Sequence, residues 1–284
     1  MIKLDLNEWI GNTFDISDSM APEQLQKFEA LMNGNPEAVS EGSEIPPCGH
    51  WVYFNPPIPQ ADLGINGHER NSGFLPPVDL PTRMWAGGTI KFKKPLKTGI
   101  PADKKSTITN VEEKEGKTGE LCFVTIRHQI SAKGTVAIDE EQKIVYREES
   151  EKGAHPIRTQ PMDIDPDWRK STKPDSVQLF RYSALTFNSH RIHYDQDYAR
   201  EMEGYPNAVI HAPFLVLLMI DAFTSKTDGK VISEVRYENT GPVYLGEQIT
   251  ICGKDIDNAK TALRIHGPEG KLAVKAEVDW SYNW

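Results

Sequence analysis

The sequence predicts an α+β protein in which antiparallel sheet packs on one buried helix, with the unit duplicated along the chain. Three observations predict it. The run Ala212-Pro-Phe-Leu-Val-Leu-Leu-Met-Ile220 is apolar on nearly every face, which suits a helix covered on several sides. Alternating pairs such as Ile249/Ile251 and Leu263/Ile265 follow it with the period of half-buried strands. Finally, the segment from Ile90 to Gly99 echoes the segment from Val235 to Gly246. Each is a β-type run, then a proline, then a glycine four positions later (Pro95 and Gly99; Pro242 and Gly246). A helix on one face of an antiparallel sheet is an α+β layer arrangement.

Taken in order, residues 21–33 read as a short amphipathic helix with Leu25, Phe28 and Leu31 at helical spacing. Residues 43–81 are rich in Pro and Gly but carry Trp51, Tyr53, Phe54 and Phe74. Aromatics in such a stretch indicate an ordered loop packed on the body, either a lid over a cleft or a structural excursion. Strands are expected at 106–112 and 121–130. Residues 151–176 hold Pro156, Pro161, Pro166 and Pro174 among charges and read as a connector. This divides the chain into a first unit, 1–150, a linker, 151–176, and a second unit, 177–284. In the second unit Asp195 is placed to cap a helix over 196–203 that stops at Gly204. Pro213 is tolerated only in a first helical turn, so the apolar helix starts near 211–213 and runs to about residue 223. Strands at 248–253, 261–266 and 272–280 complete the unit, the last two separated by Gly267-Pro-Glu-Gly270. No long apolar helix and no cluster of titratable residues recurs in the first half, so one active site per chain is expected, in the second half.

The bulk composition narrows the function. A net charge of −9 argues against nucleic acid as the main partner, because phosphate binding needs a basic surface. No apolar run approaches the roughly 18 residues that suggest a membrane-spanning helix. The start, Met1-Ile-Lys-Leu-Asp-Leu-Asn-Glu, has no signal-peptide core, so a cytoplasmic protein is expected. Cys122 and Cys252 lie in apolar strand-like runs and read as buried free thiols. No CxxC or HExxH spacing supports a metal, and no GxGxxG or GxxxxGK[ST] supports a nucleotide cofactor. No metal and no cofactor is therefore expected.

The chemistry concentrates in Leu185-Thr-Phe-Asn-Ser-His-Arg-Ile-His-Tyr-Asp-Gln-Asp-Tyr-Ala199, which brings Asn188, His190, Arg191, His193 and Asp195 together ahead of the apolar helix. A titratable loop followed by a helix N-terminus offers acid–base groups beside backbone N–H donors. This stretch resembles the MaoC-like, or R-specific, enoyl-CoA hydratase and dehydratase family of the hot-dog fold. There a loop reading roughly [ST]-G-D-x-N-P-x-H-x-D precedes a short helix and then a buried helix beginning at His-Gly. Thr186-Phe-Asn-Ser-His-Arg-Ile-His-Tyr-Asp195 overlies that loop without a gap. His193 matches the catalytic His, and Asn188 falls where the catalytic Asp usually stands. His190 and Arg191 replace Asn-Pro, and His211-Ala212 matches His-Gly. The Phe-Asn-x-His-x-Ile-His-Tyr-Asp form, together with Gly73-Phe-Leu-Pro-Pro-Val-Asp-Leu-Pro-Thr-Arg-Met-Trp-Ala-Gly87, is similar to a two-hot-dog subgroup. That subgroup contains short-chain enoyl-CoA hydratases and fungal mitochondrial-type 3-hydroxyacyl-thioester dehydratases.

The resemblance implies a double hot-dog with a degenerate N-terminal half, and an acyl-CoA as partner. It implies reversible hydration of a 2-enoyl-CoA, short, branched or dicarboxylic, such as mesaconyl- or itaconyl-CoA. The alternatives are a 3-hydroxyacyl-thioester dehydratase acting on a carrier protein, and a non-catalytic acyl-CoA-binding protein. Hydration needs a base with a pKa near the working pH and preorganised donors for the thioester oxyanion. His193 is the expected acid–base group, and the Ala212 N–H the implied oxyanion donor. Asn188 is a neutral amide that cannot take a proton, and the expected role is to hold the attacking water. His190 reads as a second proton carrier, a brace or a solvent-facing ring. Arg191 reads as a partner for a substrate carboxylate or CoA phosphate, or as a surface ion pair. Asp195 reads mainly as the N-cap, and His211 as the seat of the helix start. Arg83, Arg181 and Arg191 are candidates for a second substrate carboxylate, without a place in the pocket. A homodimer is a further expectation.

Overall fold

A computed structural model describes residues 5–70, 72–116, 119–148, 163–227 and 229–282. In chain order the elements are β1 (Thr13–Asp18), α1 (Pro22–Met32), β2 (Thr82–Phe92), β3 (Ala102–Gly116), β4 (Gly119–Ala132) and β5 (Thr135–Arg147). There follow β6 (Trp168–Thr172), α2 (Ser176–Leu185), α3 (Gln196–Glu201), α4 (Ala212–Lys226), β7 (Val231–Asn239), β8 (Ile249–Asp257), β9 (Lys260–His266) and β10 (Leu272–Ser281). Ten strands form one antiparallel sheet in the order β1-β3-β4-β5-β2-β7-β10-β9-β8-β6. The first five strands and the last five have the same internal order, reflected about the β2–β7 pair. Each half also runs strand, helical segment, then four strands, the helical segment being α1 in the first half and α2 to α4 in the second.

The echo noted in the sequence is structural. Lys97 makes an isolated antiparallel bridge to Glu44, and Tyr244 makes one to Val209. The Ile45 N–H donates to Leu96 O at 2.9 Å, and the Ile210 N–H to Val243 O at 2.8 Å. Gly99 and Gly246 have φ of 72° and 92°, so both segments turn through the left-handed region that glycine enters without strain. This register equates Ile45 with Ile210. The chain after Ile210 enters α4, whereas the chain after Ile45 makes only the 3-10 turn Gly49–Val52. The first half has therefore lost the central helix, as expected. That turn carries a buried polar contact: His50 Nε2 lies 2.9 Å from Glu140 Oε2, and the Trp51 indole donates to Glu140 Oε1 at 3.0 Å.

Helix α4 buries Phe214, Leu215, Val216, Leu217, Met219, Ile220, Ala222 and Phe223, in agreement with its nearly all-round apolar sequence. Helix α1 adds Leu25, Phe28 and Leu31 to the same core, along with Tyr53 and Phe54. The aromatics of the 43–81 stretch are thus partly core. Cys48, Cys122 and Cys252 are all buried and free.

Two stretches differ from the sequence reading. Part of the expected connector 151–176 is strand: β6 pairs with β8 from Trp168↔Gly253 to Thr172↔Ile249, and the Asp163 carboxylate holds Arg264 at 2.7 Å. Pro156 and Pro161 lie outside the described residues. Helix α2 was not expected. Its Asp175 capping box with Gln178 is local, but its solvent face carries Val177 and Phe180, which blur the amphipathic pattern. The helix expected over 196–203 closes early, at Glu201. No helix among the described residues is long and apolar enough to cross a membrane.

Candidate active site

The loop between α2 and α4 carries the candidate residues, and hydrogen bonds to its own backbone shape it. The Asn188 N–H donates to Ser183 O at 2.8 Å as α2 ends, and the Asn188 side-chain oxygen accepts from the His190 N–H at 3.0 Å. This Asx turn commits one face of the Asn188 amide and leaves its NH2 group as the available donor. The chain then makes the 3-10 turn Arg191–His193. Asp195 caps α3 by accepting from the Tyr198 N–H at 2.9 Å, as expected.

His193 is buried, and its Nδ1 lies 2.7 Å from Val209 O. A carbonyl only accepts, so Nδ1 carries the hydrogen and Nε2 keeps its lone pair. Its ring stacks on His211, centroids 3.7 Å apart and planes 20° apart. His211 in turn shares a hydrogen bond with Ser183 Oγ at 2.8 Å and meets the Tyr182 ring edge-on. His211 is also the N-cap residue of α4, in extended conformation at φ −57° and ψ 127°. Ala212 follows as the first helical residue. Leu215 N–H takes His211 O, and Pro213 has no N–H, so Ala212 and Phe214 supply the free donors of the first turn. Val209 and Ala212, three residues apart on one segment, thus set the tautomer of the base and present the N–H donor.

His190 meets His193 edge-on at 5.4 Å and lies tilted against His68 at 4.0 Å. His68 comes from the 43–81 loop, which packs directly on the candidate loop. Arg191 N–H donates to Asn66 O at 2.9 Å, and Ser189 Oγ to Gly67 O at 2.7 Å. A Cβ on Gly67 would sit 1.8 Å from Ser189 O, so only glycine permits this approach. Beyond His68 lies Arg83, whose Nη2 is 2.8 Å from His68 Nδ1. Sequence reasoning named Arg83 without placing it and missed His68. The one local signal was the Asn66-Gly67 turn just before a histidine.

Two other expectations resolve differently. Arg191 forks onto Asp195 Oδ2 at 3.1 and 2.7 Å and stacks on the Tyr198 ring at 4.1 Å. It is a surface ion pair, and it also engages the Asp195 carboxylate that caps α3. Arg181 reaches only Ala30 O, at 3.5 Å.

Burial lowers the His193 pKa to about 4 against the pull of the Val209 hydrogen bond, and lowers His211 well below its ordinary value with help from His193 and His190. His68 falls to about 3 through burial and then the nearby Arg83 charge, and His190 is lowered for similar reasons. At neutral pH the cluster is uncharged apart from Arg83. Each depressed histidine binds its proton more readily when unfolded. Its contribution to stability is complete above the unfolded pKa of 6.5 and is lost as pH falls toward the folded value. By pH 5.5 the buried ring of His193 should withdraw about 1 kcal/mol, and His211 acts in the same direction. Melting temperature measured from pH 7.5 to 5.5 should fall accordingly, and a flat profile would contradict neutral burial of these rings.

Comparison with known proteins gives the following. The sequence profile of hydroxyacyl-thioester dehydratase type 2 matches residues 48–245. The chain is 36% identical over 282 residues to mesaconyl-C(4)-CoA hydratase of Chloroflexus aurantiacus, covering 98% of this chain and 99% of that one. A MaoC-like dehydratase from Phytophthora capsici superposes with a TM-score of 0.73 at 15% identity, over 99% of this chain and 100% of that one. A Mycobacterium tuberculosis protein described as a double hot-dog fold superposes with a TM-score of 0.57 at 10% identity, over 95% and 96% of the two chains. The sheet with its duplicated strand order is thus a double hot-dog.

Proposed function

The chain belongs to the hydroxyacyl-thioester dehydratase type 2 family, and from that premise we propose a reversible hydro-lyase that adds water to a short 2-enoyl-CoA to give the 3-hydroxyacyl-CoA. The division into 1–150 and 177–284 serves this reading as a supporting and a catalytic hot dog. The observation that carries the site assignment is the His193 Nδ1–Val209 O contact at 2.7 Å, which leaves Nε2 free on the segment that leads into the Ala212 N–H.

In the hydration direction the thioester oxygen accepts from the Ala212 N–H. The Asn188 NH2 group donates to the attacking water, and His193 Nε2 takes that water's proton as its oxygen bonds to Cβ. Charge collects on the thioester oxygen, where the N–H and the positive end of α4 stabilise it. The imidazolium then returns its proton to Cα. Dehydration is the reverse. His211, face to face with His193, disfavours lasting positive charge there and so favours the return.

Loss of enoyl-thioester absorbance with crotonyl-, mesaconyl-C4- and itaconyl-CoA tests the activity, and no turnover on any of them would remove the reading. The oxyanion donor is tested separately by Ala212→Pro. Proline suits a first helical position, and His211 already has the extended backbone that precedes proline, so melting temperature should hold. The substitution deletes the N–H, and kcat should fall about 10²-fold or more. An unchanged kcat would place the oxyanion elsewhere. A carrier-protein substrate, being acidic, would need a basic surface, and around β2 Lys93 is already paired with Asp139 and Lys97 with Glu44.

A further inference from the structure

The unexplained group in this site is Arg83. It stands on β2 opposite Tyr146 of β5, half-buried, with its Nη2 2.8 Å from His68 Nδ1. Arginine has no acceptor, so Nη2 donates and His68 is held as the acceptor at Nδ1. Tyr146, which also bonds to it, is neutral, its hydroxyl pushed up by burial against the pull of Arg83. The chain has 41 acidic residues against 32 basic ones, yet among the described residues no carboxylate forms an ion pair with this guanidinium. Four other arginines show the contrast: Arg127 forks onto Asp139, Arg191 onto Asp195, Arg236 onto Asp279, and Arg264 onto Asp163. A half-buried guanidinium facing neutral rings lacks the anion that its donors fit.

The missing anion has a direction. From His193 the rings run to His190 at 5.4 Å, on to His68 at 4.0 Å, and end at Arg83. The row therefore leads from the base to the cation, and the Arg83 charge acts on both His68 and His190. We propose that Arg83 is the specificity-determining residue of this site and takes a carboxylate borne by the acyl chain close to its reacting carbons, making the preferred substrate a dicarboxylic enoyl thioester. This rests on the hydro-lyase reading for the position of the acyl group. In a C4 thioester of mesaconate the free carboxylate sits on the β carbon, the atom that receives the hydroxyl. An anion there must be neutralised within the same pocket as the base. His68 braces the guanidinium, and the Gly67–Ser189 approach fixes the loop that carries His68.

The test compares mesaconyl-C4-CoA with crotonyl-CoA, which lacks the carboxylate, in wild type, Arg83→Gln and Arg83→Lys. The kcat/KM ratio of the dicarboxylic to the plain substrate should favour the dicarboxylate in wild type. It should fall on the order of 10- to 100-fold in Arg83→Gln, mainly through KM, with partial recovery in Arg83→Lys. A ratio unchanged in Arg83→Gln, with both substrates falling alike, would overturn the proposal and leave Arg83 as a support for His68. Binding of the two thioesters by calorimetry, with and without Arg83→Gln in a His193→Gln background, gives a readout that needs no turnover. A binding preference lost with Arg83 sustains the carboxylate site even if wild type converts neither substrate, in which case the hydro-lyase reading alone fails. Turnover without any Arg83-dependent preference does the opposite.

Discussion

Replacing His193 with glutamine is expected to lower kcat for enoyl-CoA hydration by about 10³-fold while KM changes little. The glutamine amide can still donate to Val209 O, so the loop keeps its shape, but no atom remains that can take and return a proton. His211 and Asp195 are not placed to substitute. His211 is engaged with Ser183 Oγ through Nε2, and its Nδ1 is buried without a partner. Asp195 is held by Arg191 and by the α3 cap. Because burial places the His193 pKa at about 4, the neutral base predominates through the whole physiological range. The acid limb of kcat/KM in wild type should therefore lie nearer pH 4 than the 6.5 of a free imidazole, and should be absent in the variant. Steady-state kinetics across pH 4–8 decides both points. A loss under tenfold would remove His193 from proton transfer.

The largest stability effect is expected in the first half of the chain, at His50. Glu140 is a buried carboxylate held by the imidazole and by the Trp51 indole. Burial alone would raise its pKa. The hydrogen bond and charge of His50, the charge of His128 and the Trp51 hydrogen bond outweigh burial and hold it below the ordinary value. A depressed carboxyl contributes stability that is present above its unfolded pKa and lost as pH falls through the folded one. His50→Leu strands the carboxylate beside an apolar wall and should cost about 3–5 kcal/mol at pH 7, measured by urea unfolding. In that variant burial acts without the imidazole, the Glu140 pKa rises, and the deficit should shrink as pH is lowered toward 5. Adding Glu140→Leu to His50→Leu should restore most of the loss, because two apolar side chains of similar volume can fill the space. If the single and double variants were equally unstable, packing around His50 rather than the stranded charge would be responsible.

What the sequence disclosed and what it hid follow from the range of the interactions. The Asp195 cap and the start of α4 beside Pro213 are decided by residues a few positions apart, and both were legible. The duplicated turn was legible because Gly99 and Gly246 answer the same backbone demand. Strand β5 was hidden. Its middle is three consecutive acidic residues, which carry no apolar alternation: Asp139 pairs with Arg127 and Lys93, Glu140 points inward to His50, and Glu141 faces solvent. Strand β6 was hidden because its five residues pair only with β8, about eighty positions later. The partners of the candidate loop were hidden for the same reason. His68 and Arg83 lie more than a hundred positions before His190, and nothing in their neighbourhoods marks them as its companions except the shape of the folded chain.

Joining two hot dogs through the β2–β7 pair has a consequence for how such a site can change. When two identical subunits build a sheet together, any substitution appears twice, and a residue moved toward one site also arrives at its twin. In this chain the halves are written separately. The first half could surrender its helix for the His50–Glu140 pair and send the loop bearing His68 and Gly67 across to the other half. Neither change had to be tolerated in duplicate. The covalent link thus removes a symmetry constraint, and Arg83 and His193, supplied by opposite halves, can be tuned against each other one position at a time.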